Sequence, residues 1–139
     1  FQVYGPLQDD NRLIPSIIFS CIKKKNFNCS DGKQWRDFIF VDDFTDAIIK
    51  IFSKKKQYQM SKVLNIGYGK PIKVKTVIEK IIKYCKGGKP KFGAILLRKD
   101  ESKIIYPNIS KIKKTIRWFP KTNLETGLKK TIKSFRSKL

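Results

Sequence analysis

The sequence predicts an α/β fold, on three observations. Short aromatic and β-branched runs alternate with stretches whose apolar residues recur at spacings of three and four, the marks of buried strands and amphipathic helices. Turn residues punctuate the changeovers, as at Gly5-Pro6, Ser30-Asp31-Gly32, Gly67-Tyr68-Gly69 and Gly87-Gly88. Of the 139 residues, 40% are hydrophobic, enough for one domain with a modest core.

Taken in order, Phe1 to Tyr4 reads as the end of a buried strand, closed by Gly5-Pro6. A polar loop, Leu7 to Asn11, leads into a helix from Arg12 to about Lys25. Pro15 fits its first turn, where no N–H is needed, and Ile14, Ile17, Ile18, Cys21 and Ile22 form its buried stripe. Phe27 to Cys29 is a short strand. Phe38 to Val41 is a second, with Arg36 at its start. Asp42 caps the following helix and Asp43 sits where the helix dipole favours negative charge. Phe44, Ala47, Ile48, Ile51 and Phe52 are that helix's apolar face. Ser53 to Lys62 reads as a solvated loop and Val63 to Ile66 as a strand. Val74 to Lys86 is an amphipathic helix stopped by Gly87-Gly88. Pro90 to Leu97 reads as a strand, followed by the charged turn Arg98-Lys99-Asp100-Glu101. Asn108 caps a short helix over Ile109 to Ile116. Thr122-Asn123-Leu124-Glu125 is a capping box for a last helix that turns Leu124, Leu128, Ile132 and Phe135 inward.

The formal net charge is +21, from 32 Lys and Arg against 11 Asp and Glu. Such a balance attracts nucleic acid non-specifically. The lysines, however, are spread along every helix, as at Lys73, Lys75, Lys80 and Lys83, and no zinc-finger spacing occurs. A nucleic-acid partner is therefore not expected, although a stand-alone basic nucleic-acid-binding module is the competing class. The three cysteines, Cys21, Cys29 and Cys85, form neither a CxxC pattern nor an even set. Cys21 and Cys85 fall on apolar helix faces and read as small core residues. There is no histidine to act as acid, base or metal ligand. No apolar run reaches the roughly 18 to 20 residues of a membrane span, so the expectation is a cytoplasmic protein with no membrane partner. The opening Phe1-Gln2-Val3-Tyr4-Gly5-Pro6 reads as the middle of a longer chain.

Arg36 carries a fork-shaped guanidinium beside a loop, suited to a phosphate or carboxylate. From the residues alone an ordinary strand-end arginine paired to Asp31 or Asp37 is the simpler reading. A resemblance sharpens that choice. Arg36-Asp37-Phe38-Ile39-Phe40-Val41-Asp42-Asp43 resembles the Arg-Asp-Phe-x-Tyr-Val-x-Asp signature of the extended short-chain dehydrogenase/reductases, the NAD(P)-dependent nucleotide-sugar epimerases, dehydratases and reductases. Phe1-Gln2-Val3-Tyr4-Gly5-Pro6 is similar to the Phe-Asn-Val-Tyr-Gly-Pro that follows the family's catalytic segment. Leu64-Asn65-Ile66-Gly67-Tyr68-Gly69 resembles Asn-Ile-Gly-x-Gly. Asn108-Ile109-Ser110-Lys111 and Trp118-Phe119-Pro120-Lys121 resemble Asp-x-Ser-Lys and Gly-Trp-x-Pro. Five segments in the right order cover nearly the whole chain and about half of the family's length.

The resemblance implies the C-terminal, substrate-binding part of a Rossmann-type fold, with the N-terminal dinucleotide-binding part absent from these residues. Residues 1–6 would end the dinucleotide-binding sheet and 7–139 would bind the nucleotide sugar. It further implies substrate contacts from Gln2, from Leu13 and Ile14 in the Leu-Ile-Pro turn, from Arg36 and Arg98 on the diphosphate, and from Glu101 on the ribose or sugar. Its partners would be a nucleotide-diphosphate sugar and the missing half, with a homodimer in the complete enzyme. NAD or NADP would be bound there and not by this portion alone. Neither the Gly-rich dinucleotide fingerprint nor the catalytic Tyr-x-x-x-Lys pair is expected here. No catalytic residue is assigned, and the portion is expected to be inactive by itself. The Leu-Ile-Pro turn and Arg98-x-x-Glu101 are also similar to the CDP-6-deoxyhexose branch that serves polysaccharide and O-antigen synthesis. Two departures stand out: Gln2 replaces Asn, and Arg117 replaces the Gly of a left-handed helix end, a strained exchange that fits a decayed gene remnant.

Overall fold

The computed structural model describes residues 1–53 and 63–137. Their elements run β1 (Gln2–Tyr4), α1 (Leu13–Ile22), β2 (Asn26–Asn28), β3 (Trp35–Arg36), β4 (Phe38–Phe40), α2 (Val41–Ser53), β5 (Ile72–Lys73), α3 (Val74–Cys85), β6 (Lys89–Lys91), β7 (Ile104–Ile105), α4 (Ser110–Ile116) and α5 (Leu124–Arg136). The α/β alternation expected from the sequence is present.

At the centre lies a parallel pair, β1 beside β4, with Gln2 opposite Phe38 and Tyr4 opposite Phe40. Side chains alternate across a strand, and β4 uses both faces. Phe38 and Phe40 join the core formed by Ile14, Ile17 and Ile18 of α1, Val77, Ile78 and Ile81 of α3, and Leu128 and Phe135 of α5. Ile39 points the other way, into a second core with Ala47 of α2, Ile112 and Ile116 of α4, and Trp118. Two helical layers thus cover one short parallel sheet, the arrangement that parallel strands require. Each buried Phe, Ile or Leu contributes roughly 1.5 to 3 kcal/mol.

Two smaller sheets flank this centre. β2 and β6 are parallel. β3 lies between β5, antiparallel, and β7, parallel. Arg36 and Phe38 therefore do not share one strand, as the sequence had implied. The chain passes from one sheet to another at Asp37, which is 1% exposed. Its carboxylate accepts the backbone N–H groups of Tyr68 (2.8 Å) and Gly69 (2.7 Å), and its own carbonyl accepts the Gln2 N–H (2.8 Å). Burial pushes the Asp37 carboxyl above the usual range, and the amides of residues 68 to 70 pull it back. Gly67 is required beside it, because a Cβ there would lie 2.3 Å from Pro107 Cγ and 2.7 Å from Asp37 Oδ1.

β4 ends at Phe40, one residue earlier than predicted, and α2 begins at Val41, so Asp42 is not its cap and falls with Asp43 in the first turn. Asp43 does more than face the dipole. It is 6% exposed and accepts the N–H groups of Lys121 (3.1 Å) and Thr122 (2.8 Å).

Other readings need correction. Val63 to Ile66 forms no strand, and Val63 is exposed. The strand predicted from Pro90 to Leu97 stops at Lys91, after which Ile95 and Leu96 face solvent. The left-handed residue ending α3 is Lys86, not a glycine. Gly87 and Gly88 instead allow close packing on α1, since Cβ atoms there would sit 2.6 Å from Cys21 O and 2.6 Å from Cys21 Sγ. The cap of α5 is Asn123, whose side chain accepts the Thr126 N–H (2.9 Å). Nearly all of the Ser53 to Lys62 stretch lies outside the described residues. The expected strain at Arg117 is present, at φ 50° and ψ 43°.

Asp37→Ala removes the acceptor of two backbone N–H groups and should lower the unfolding free energy by roughly 3 kcal/mol, measured by urea denaturation. Arg117→Gly relieves the left-handed backbone and should raise it by about 1 kcal/mol. A fall in the melting temperature of that variant would contradict the strain argument.

Candidate functional site

Three concavities adjoin along one side of the central sheet. The first, of about 250 Å³, is bounded by Gln2, Tyr4, Gln8, Asn11, Leu13 and Ile14. The second, of about 480 Å³, shares Asn11 and Leu13 with it and continues past Phe27 and Cys29 to Leu97. The third, of about 380 Å³, shares Leu97 and reaches Gln34, Trp35, Glu101 and Lys103. Linked through these shared lining residues, the three form a segmented groove from Gln2 to Glu101. The start of α1 forms its waist, which is why Leu13 is half-exposed while Ile14 turns into the core at 2% exposure.

Of the residues singled out in the sequence, Gln2, Leu13, Ile14 and Glu101 line this groove. Arg36 lies behind it. Its guanidinium is not displayed at a strand end, and it pairs with neither Asp31 nor Asp37. It is 7% exposed, donates from Nη1 to the Trp35 carbonyl (2.7 Å) and from Nη2 to Glu101 Oε1. Glu101 is thus the counter-ion of Arg36, and a third of its side chain remains open to solvent. A guanidinium has five N–H donors, so donors remain for a second acceptor. Arg98 is exposed and joins the others through the backbone, its carbonyl accepting the Glu101 N–H (3.0 Å). The structure brings Arg36 and Glu101 together and leaves the Arg98 side chain exposed and outside the groove lining.

Two groove residues escaped sequence reasoning. Gln8 donates Nε2–H to the Val3 carbonyl (2.8 Å) and Gln34 donates Nε2–H to Ser30 Oγ (3.2 Å). In each the amide oxygen is buried without a hydrogen-bond partner among the described residues. Such oxygens call for a donor from elsewhere, and they stand near opposite ends of the groove. No periodicity marks a glutamine in a loop, so the sequence carried no signal for either.

A dinucleotide does not fit the glycines present. Gly67 is filled by Pro107 and Asp37, and a Cβ at Gly69 would meet Ile109 Cδ1 at 2.7 Å, so both are packing positions and not an open phosphate cradle. The expectation of no Tyr-x-x-x-Lys needs one correction: Tyr58 and Lys62 have that spacing. They fall outside the described residues, and they follow the Phe1–Pro6 segment that the family's catalytic pair precedes. No cluster of His, Cys, Asp and Glu able to hold a metal occurs among the described residues. No helix among them is long and apolar enough to cross a membrane.

The fold is part of a Rossmann-type epimerase/dehydratase architecture. A UDP-glucuronic acid 4-epimerase mutant from Bacillus cereus, in complex with UDP-4-deoxy-4-fluoro-glucuronic acid and NAD, superposes on it with a TM-score of 0.88 at 23% identity, covering 100% of this chain and 44% of that one. Other solved neighbours are complexed with NAD or NADPH. Residues 1–67 match the NAD dependent epimerase/dehydratase family. CDP-abequose synthase of Salmonella typhimurium is 32% identical over 136 residues, 94% of this chain and 45% of the relative. UDP-glucuronate 4-epimerase of Thermodesulfobacterium geofontis is 34% identical over 134 residues, 95% of this chain and 40% of the relative. The chain belongs to the NAD dependent epimerase/dehydratase family, which includes nucleotide-sugar enzymes such as these. It spans less than half the length of these relatives.

Glu101→Ala strips the buried Arg36 of its counter-ion and should cost about 2 kcal/mol of stability, below the value for a fully buried pair because Glu101 is partly solvated. Glu101→Gln, which keeps a hydrogen-bond acceptor, should cost less. Equal urea midpoints for both variants and the parent would remove the pair from the stability of the site.

Proposed function

We propose that this chain supplies the nucleotide-sugar grip of an NAD(P)-dependent epimerase, dehydratase or reductase. The Gly-rich phosphate turn and the catalytic Tyr-x-x-x-Lys would come from outside these residues, and the portion alone would be inactive. In that reading β1, with β4 paired beside it, completes the dinucleotide-binding sheet, and the rest of residues 7–139 hold the substrate.

The observation that carries this is the series of adjoining concavities from Gln2 to Glu101, with the Arg36–Glu101 pair at its far end. A nucleoside diphosphate sugar is long, has a flat base and is anionic in its middle. Trp35 offers a face to a base at one end, and the free amide oxygens of Gln8 and Gln34 suit hydroxyl or amino donors. Charge-assisted bonds from Arg36, with Arg98 swinging in from the rim, suit the diphosphate. The CDP-6-deoxyhexose branch, serving polysaccharide or O-antigen synthesis, is supported by the likeness to CDP-abequose synthase.

The test is calorimetric titration of the intact gene product with CDP-, UDP- and dTDP-hexoses. CDP-sugars should bind tightest, and Arg36→Ala should weaken binding at least about tenfold. Binding of RNA that falls steeply with salt, with no response to any nucleotide sugar, would replace this reading with that of a basic nucleic-acid-binding module.

A further inference from the structure

A cavity of about 420 Å³ lies between the turn after Gly67 and the end of α4. It shares no lining residue with the groove itself, although a cavity of about 210 Å³ shares Phe38 with the groove and Tyr68 and Lys70 with this one. Lys70, Lys113 and Arg117 line it with Tyr68, Trp118 and Phe119, and no carboxylate does. None of the three cations forms an ion pair among the described residues.

Two further observations single this cavity out from the general excess of lysine. Trp118 is 1% exposed, and its indole N–H has no acceptor among the described residues. A buried donor left unpaired is rare and calls for an explanation. Arg117 is held left-handed at φ 50°, where glycine would sit without strain and where the resembling family has glycine. The strained backbone thus keeps a guanidinium on the cavity wall. The C-terminal dipole of α4 explains a preference for cations nearby. It explains neither the unpaired indole nor the exposure of Phe119, 58% in a folded wall.

We infer that this cavity is a second binding site, for a small organic phosphate whose flat apolar part lies against Tyr68 and Phe119. The three cations neutralise the phosphoryl group beside the Trp118 ring. Nothing in this assignment depends on what the groove binds.

Calorimetric titration of the intact gene product with phenyl phosphate should give saturable heats of binding. Adding Lys113→Ala and Arg117→Gly together should weaken binding at least about tenfold, while Arg117→Gly by itself should keep or raise the melting temperature. Lys70→Gln offers a second removal of charge if the double variant melts early. Absence of a saturable change, or equal affinity in the charge-removed variants, would overturn the site. Equal affinity for inorganic phosphate and phenyl phosphate would overturn the assignment of an apolar portion to the ligand.

Discussion

Two buried aspartates on either side of a three-residue strand hold this structure in register. Asp37 precedes β4 and Asp43 follows it by one turn of chain, and each accepts two consecutive backbone amides from a distant segment. Burying a carboxylate is costly without such donors, so each contact is nearly obligatory once the chain around it folds. The first fixes the turn at residues 67–70 against the junction between two sheets. The second fixes the segment between α4 and α5 against the start of α2. β4 itself is too short to specify its surroundings by ladder bonds, and the paired amides supply the missing specification.

Both sites inherit their geometry from this arrangement. Because Asp37 sits between β3 and β4, Arg36 is turned toward the flanking sheet and away from the central one. Its guanidinium is then enclosed by the Trp35 carbonyl and Glu101, residues adjacent to it and 65 positions distant. A guanidinium oriented in advance loses less conformational freedom on meeting an anion than one free in solvent. The same clamp on Tyr68 and Gly69 places Lys70 opposite the end of α4.

The helices were legible because their stripes are long enough to reveal a period: α1, α3 and α5 bury most of the residues such spacing names, with Ile22 and Leu124 half-buried at helix ends. The strands were less so. Runs such as Val63 to Ile66 and Pro90 to Leu97 have strand composition, yet a strand exists only where a partner lies alongside, and that partner is remote in sequence. The break at Asp37 was invisible for the same reason, since Arg36 and Phe38 look continuous until their neighbours are known. At the site, Gln2, Leu13, Ile14, Arg36, Arg98 and Glu101 came through a resemblance, which names positions but not which of them touch. The pairing of Arg36 with Glu101 and the half-satisfied amides of Gln8 and Gln34 depend on tertiary geometry alone. Lys86 and Arg117 show the converse: left-handed helix ends taken by residues with a Cβ, against the local preference for glycine.

The sheet β5–β3–β7 is assembled from three two-residue strands drawn from positions 35, 72 and 104 of the chain. No local segment can form it, and each pairing requires a long loop to close first, so contacts of this kind come late and slowly in folding. Trp35 and Ile104, paired across β3 and β7, line the same end of the groove only when that assembly is complete. Recognition at this end is therefore tied to the cooperative state of the entire fold, and by mass action any molecule that binds there draws the chain toward its assembled form. The walls at this end of the groove are complete only when the most non-local contacts have been made.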